Sequence, residues 1–148
     1  MKIIARYRVE LVKDSNCKYD IDSKRISSPD DAYRIIEEIF RMSVQAEEIF
    51  VMLVLDSKNN IVGSFEVSRG SLNSSIVHPR EVFKRALLLN ASSIVIAHNH
   101  PSGESEPSHE DIVLTNRIDE CGKLLGIKVI DHIITGDYFY SFKEEGMI

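Results

Sequence analysis

The chain has 148 residues, 43% of them hydrophobic and 28% charged, and carries a formal net charge of −5. That composition excludes a disordered chain and a fibre, and the length suits one compact domain with its own core. No apolar run approaches the roughly 20 residues that span a bilayer, and the acidic balance offers nucleic acid no global attraction, leaving only local patches such as Lys84 and Arg85.

In chain order, residues 2–12 alternate, with Ile3, Ala5, Tyr7, Val9 and Leu11 on one side and Lys2, Arg6, Arg8 and Glu10 on the other, which predicts a half-buried strand. Its charges also break the apolar segment of a signal sequence, so the expected location is cytoplasmic. Asp14-Ser15-Asn16 reads as a turn, and residues 19–26 are expected to return as a second strand, giving residues 1–28 as a small N-terminal β extension ahead of a domain over 29–148.

Ser28-Pro29-Asp30-Asp31 is a helix start: a hydroxyl N-cap, proline at the first helical position and acids facing the positive end of the helix dipole. Ala32, Ile35, Ile36, Ile39 and Phe40 then share a face. Ile49-Phe50-Val51-Met52-Leu53-Val54-Leu55 is apolar without alternation, as in a strand covered on both faces, and the polar residues 56–60 lead into an antiparallel neighbour over 61–67. Residues 79–90 are helical in pattern, and residues 92–97 form a short buried strand that runs directly into His98. Pro107-Ser108 opens a third helix with Leu114, Ile118, Cys121 and Leu125 on one face and Gly126 as its C-terminal cap. Cys121 is then a core residue, and with Cys17 as the other cysteine there is neither a disulfide framework nor a Cys-x-x-Cys zinc knuckle. A strand over 127–135, a turn at Gly136-Asp137 and a partner strand over 138–142 complete an α/β domain, a mixed β-sheet flanked by helices.

The chemistry concentrates in His98-Asn99-His100-Pro101-Ser102-Gly103-Glu104-Ser105-Glu106-Pro107-Ser108-His109-Glu110-Asp111. Residues two apart in an extended segment point to one side, so His98 and His100 aim their imidazoles together while Asn99 faces away. Proline and glycine then bend the chain, and the first turn of the next helix presents Asp111 to the imidazoles. Two histidines and a carboxylate suit zinc with a fourth position open for water, the arrangement of a catalytic site. Taken singly, Ser108 is an N-cap, Asp111 closes a variant capping box and loop histidines are common. The joint spacing favours the metal site over those separate readings.

His98-x-His100, seven residues, Ser108, two residues and Asp111 match the JAMM (MPN+) metalloprotease signature, and His78-Pro79-Arg80-Glu81, the run His98-Asn99-His100-Pro101-Ser102-Gly103, Pro107-Ser108 and Asp131-His132 resemble the RadC branch of that superfamily over residues 29–148. The resemblance implies a JAB/MPN-like fold with cytidine-deaminase-like layering, Zn2+ held by His98, His100 and Asp111, Ser108 stabilising an oxyanion, and an upstream glutamate as general base. Glu48 occupies the position of that glutamate, with Glu47, Glu66 and Glu81 as competitors. The activity implied is hydrolysis of a peptide or isopeptide bond in a peptide or protein substrate. A non-catalytic interaction scaffold and a DNA-repair accessory are the alternatives. Longer RadC proteins carry a helix-hairpin-helix module, whereas residues 1–28 read here as strands, which weakens the expectation of DNA binding. Cytidine deaminases need Pro-Cys-x-x-Cys, which this sequence lacks, and the literal His98-Asn99-His100 is unrelated to the dispersed residues of HNH nucleases. His78 is read as a helix cap, His109 as a first-turn residue and His132 as a hydrogen-bonded core histidine.

Overall fold

Serine, proline and aspartate at residues 28–31 start the first helix as expected. In the computed structural model, which describes residues 1–18, 25–70 and 77–148, α1 spans Pro29–Phe40. The Ser28 hydroxyl accepts from Asp31 N at 3.1 Å, and the Asp31 carboxylate accepts from Ser28 N at 3.0 Å. Such a reciprocal cap satisfies two amides that would otherwise lack helical partners. The α1 face carrying Ala32, Ile35 and Ile36 is buried.

Five strands follow from the apolar runs: β1 Glu48–Leu55, β2 Ile61–Gly70, β3 Ser93–Asn99, β4 Lys128–Thr135 and β5 Phe139–Ser141. They form one sheet in the order β2-β1-β3-β4-β5. Its β1–β2, β1–β3 and β4–β5 pairs are antiparallel and β3–β4 is parallel, the mixed sheet anticipated. Two further helices, α2 Pro79–Leu88 and α3 His109–Leu125, cover the sheet together with α1. His78 caps α2, its Nδ1 accepting from Arg80 N at 3.0 Å, and Gly126 caps α3, both as expected. Cys121 is half-buried against the core, also as expected.

Alternation along the interior strands sends side chains into two separate cores. On one face Val51, Leu53, Leu55, Val95, Ala97 and Ile133 meet Ala32, Ile35 and Ile36 of α1. On the other, Phe50, Met52, Val54, Ile94 and Ile96 meet Val82 and Phe83 of α2 and Ile118 of α3. Every residue of β3 is buried, and this strand occupies the middle of the sheet. The next inward residue after Ile94 and Ile96 is His98, so the apolar row on the α2/α3 face ends in an imidazole.

The strand expected over residues 2–12 is a correction. Residues 1–18 form no helix or strand and are exposed, including Ile3, Tyr7 and Val9. Alternation specifies which side chains would share a face; a strand also needs a hydrogen-bonding neighbour and a surface to bury that face, and residues 1–18 pair with neither sheet edge. Most of the second expected strand, residues 19–24, lies outside the described residues, and Arg25 makes a single bridge to Asn60.

Candidate metal centre

His98 stands at the carboxyl end of β3, and His100 follows one residue past it. Their Nε2 atoms lie 2.9 Å apart. Ser108 caps α3, and Asp111, the third residue of that helix, turns its carboxylate toward both: Oδ1 is 3.2 Å from His98 Nε2 and Oδ2 is 3.3 Å from His100 Nε2. Among the described residues these three side chains alone form a group of histidine, cysteine or carboxylate atoms that could hold a metal ion, one atom from each lying within 4.8 Å of the others. Two imidazole nitrogens and a carboxylate oxygen are a donor set that zinc accepts. Lone pairs this close repel one another unless a cation or a proton lies between them, so the cluster itself fits an ion.

The side chains of this cluster are held from behind. His100 N donates to Thr135 O at 2.8 Å, and the ring Nδ1 of His100 donates to Glu104 O at 2.7 Å, which leaves Nε2 toward the site. The loop that follows lies directly on the β4–β5 turn. Asp137 N donates to Gly103 O at 2.7 Å, and a Cβ added to Gly136 would stand 2.2 Å from that same oxygen. Glycine is required at 136 by this close approach. Asp111 is fixed by the helix start: Ser108 N donates to Oδ2 at 2.8 Å, and Asp111 N donates to the Ser108 hydroxyl at 3.1 Å.

Electrostatics follow from these contacts. Burial pushes the Asp111 carboxyl upward, but the imidazoles of His100 and His98 set against it override this and hold the group far below the usual carboxylate range. His100 is raised above the ordinary imidazole value, first by Asp111; burial opposes this, and the Glu104 carbonyl and the charge of Glu48 add to it. His132, fully buried on β4, is lowered well below that value by desolvation.

Glu48 opens β1, and its charge is felt at His100. Asn99 explains the placement: its Oδ1 accepts from Ile49 N at 2.7 Å and its Nδ2 donates to Glu47 O at 3.0 Å, so one buried side chain clamps both residues flanking Glu48 to the end of β3. Asn99 faces away from the imidazoles as the alternation required, and this clamp was not foreseen in the sequence. Of the competing glutamates, Glu47 is exposed, Glu66 pairs with Arg69 at 2.8 Å, and Glu81 pairs with Lys84 and Arg85 at 2.7 and 3.0 Å.

His109 is exposed at the start of α3 and is not a member of that cluster. His132 is buried and hydrogen-bonded as expected, though its partners tie it to the site: Nε2 lies 2.8 Å from His98 Nδ1, and Nδ1 lies 2.6 Å from the hydroxyl of Thr115 on α3. Thr115 carried no signal beyond standing four residues, one helical turn, after Asp111.

Among the described residues no helix is long and apolar enough to cross a membrane. A family model described as the RadC-like JAB domain matches residues 26–147. A UPF0758 protein of Methanosarcina mazei is 52% identical over 126 residues, covering 84% of this chain and 54% of the relative. A UPF0758 protein of Clostridium acetobutylicum is 46% identical over 140 residues, covering 94% of this chain and 60% of the relative. One of Alkaliphilus oremlandii is 45% identical over 141 residues, covering 95% and 60% respectively. The chain thus spans little more than half the length of these relatives.

Proposed function

Because the chain belongs to the RadC-like JAB domain family, we propose that it is a zinc-dependent hydrolase of JAMM type acting on a peptide or isopeptide bond. The observation that carries this reading is the convergence of His98 Nε2, His100 Nε2 and the Asp111 carboxylate at the end of β3. His98, His100 and Asp111 would hold the ion. Zinc in such a site supplies Lewis acidity and activates water for attack near neutral pH.

The chain's own residues supply the rest. The Glu48 carboxylate, held beside the site by the Asn99 clamp, takes the proton from the attacking water and delivers it to the nitrogen of the leaving amine. The Ser108 hydroxyl accepts from Asp111 N, which engages an oxygen lone pair and leaves its single proton to donate to the oxyanion that develops on the carbonyl. Ser108 and Asp111 are therefore both helix cap and functional pair, so the separate readings of the sequence merge.

The test is elemental analysis of protein purified without added metal, comparing wild type with a folded His98→Ala, His100→Ala double variant. About one zinc per chain, lost in the variant, supports the site and justifies screening peptide and isopeptide substrates. No uptake by wild type, even with zinc supplied, overturns the hydrolase and leaves an interaction scaffold.

A further inference from the structure

A run of hydrogen bonds leads from the helix that carries Asp111 to the far side of the His98 ring, and its proton positions follow from one end. The backbone carbonyl of Asp111 can only accept. The Thr115 hydroxyl donates to it at 2.6 Å, and a hydroxyl has one proton, so that proton is committed. The same oxygen lies 2.6 Å from Nδ1 of His132 and can now only accept, so this Nδ1 carries a hydrogen. The His132 ring is fully buried, stacked on Phe142 at 4.9 Å and met edge-on by Phe50 at 5.6 Å. Its nitrogens face His98 and Thr115 and, among the described residues, neither is paired with a carboxylate, so in this apolar setting the ring is neutral and its Nε2 is a bare lone pair. Nδ1 of His98, 2.8 Å away, must therefore donate to it. A neutral imidazole with hydrogen on Nδ1 has its lone pair on Nε2, the atom that faces His100 and Asp111.

We infer that Thr115 and His132 are positioning residues that lock His98 in the Nδ1–H tautomer, so that its Nε2 lone pair is presented to a metal ion before the ion arrives. The inference rests on the proposed metal site. It deepens that reading by naming what orients the most buried ligand. His100 obtains the same tautomer locally, from the Glu104 carbonyl. His98, sealed in the core, has no such carbonyl among the described residues and relies on a route that begins on the helix carrying the third ligand. Buried partners of this kind typically contribute about 10- to 100-fold to metal affinity.

The experiment pairs long-range 1H–15N spectra of the imidazoles in the metal-free protein with zinc competition against a chromophoric chelator, for wild type, Thr115→Val, Thr115→Ser and His132→Phe. His78 is an internal reference: its Nδ1 accepts from Arg80 N, so it shows the opposite, Nε2–H pattern in any folded variant. Expected are a pure Nδ1–H signal for His98 in wild type and Thr115→Ser, and mixed tautomers in Thr115→Val. Zinc affinity should fall about tenfold or more in Thr115→Val and His132→Phe and be restored by Thr115→Ser, which keeps the hydroxyl. An Nε2–H signal for His98 in wild type, or unchanged zinc affinity in a folded Thr115→Val, overturns the inference. Should wild type show the Nδ1–H tautomer yet take up no zinc, the lock is upheld and the hydrolase reading falls.

Discussion

The first and third helices begin with the same grammar. Ser28 and Asp31 cap α1, Ser108 and Asp111 cap α3, and in each the hydroxyl accepts from the aspartate amide while the carboxylate accepts from the serine amide. Both carboxyls sit below their ordinary range, for different reasons. Asp31 is lowered chiefly by the Ser27 hydroxyl beside it; Asp111 is pushed up by burial and brought down by His100 and His98. The local motif is thus one way to start a helix, and what separates a structural cap from a candidate metal centre is the strand end opposite it. The first stands at the surface beside the exposed Ser27; the row Ile94, Ile96, His98 ends against the second.

Exchanging the roles of these two caps is the sharpest way to break the comparison. Asp111→Asn should abolish zinc uptake, whereas Asp31→Asn should leave it intact, as read by elemental analysis; equal loss in both would mean that the site reports helix integrity alone. Next in size, Glu48→Gln should retain zinc while hydrolysis of any peptide that wild type cleaves falls by about 10²- to 10⁴-fold. An active Glu48→Gln enzyme would remove Glu48 as the base. Ser108→Ala should keep the metal and slow turnover by about 10²-fold, since it removes one oxyanion donor. Zinc affinity should also rise with pH and go on rising above the ordinary imidazole value, because His100 is raised by Asp111 and its proton competes with the ion until the pH passes that raised value. A flat profile in competition titrations would contradict the arrangement of His100 against Asp111. Smallest of all, Ser28→Ala should cost about 1 kcal/mol of stability in denaturant unfolding and leave zinc affinity unchanged.

How far the sequence could be read follows the same division between local and distant. The helix starts at Ser28 and Ser108 and the buried strands were legible because capping and periodicity act over a few residues. The three metal-ligand candidates were legible because they stand within 14 consecutive positions, two on a strand end and one on the next helical turn. Residues 2–12 misled because alternation is necessary for a half-buried strand and not sufficient: Ile3 and Tyr7 have the pattern and lie exposed. Asn99, Thr115 and His132 were not legible as site residues. Asn99 reaches residues about 50 positions upstream, and His132 meets His98 across 34 positions, contacts that only the sheet order creates. In sequence, His132 stands beside Asp131 within an otherwise apolar stretch of β4, and nothing nearby names its partner.

The contact between Gly136 and the carbonyl of Gly103 has a consequence for how this protein can change. A side chain at 136 displaces the segment just after His100, so positions 103 and 136 are not free to drift separately. A library that randomises codon 136 alone should return glycine among metal-binding clones, whereas randomising it together with codons 101–105 opens other solutions. The β4–β5 turn and the histidine loop are in that respect a single heritable unit, though 33 positions separate the two glycines.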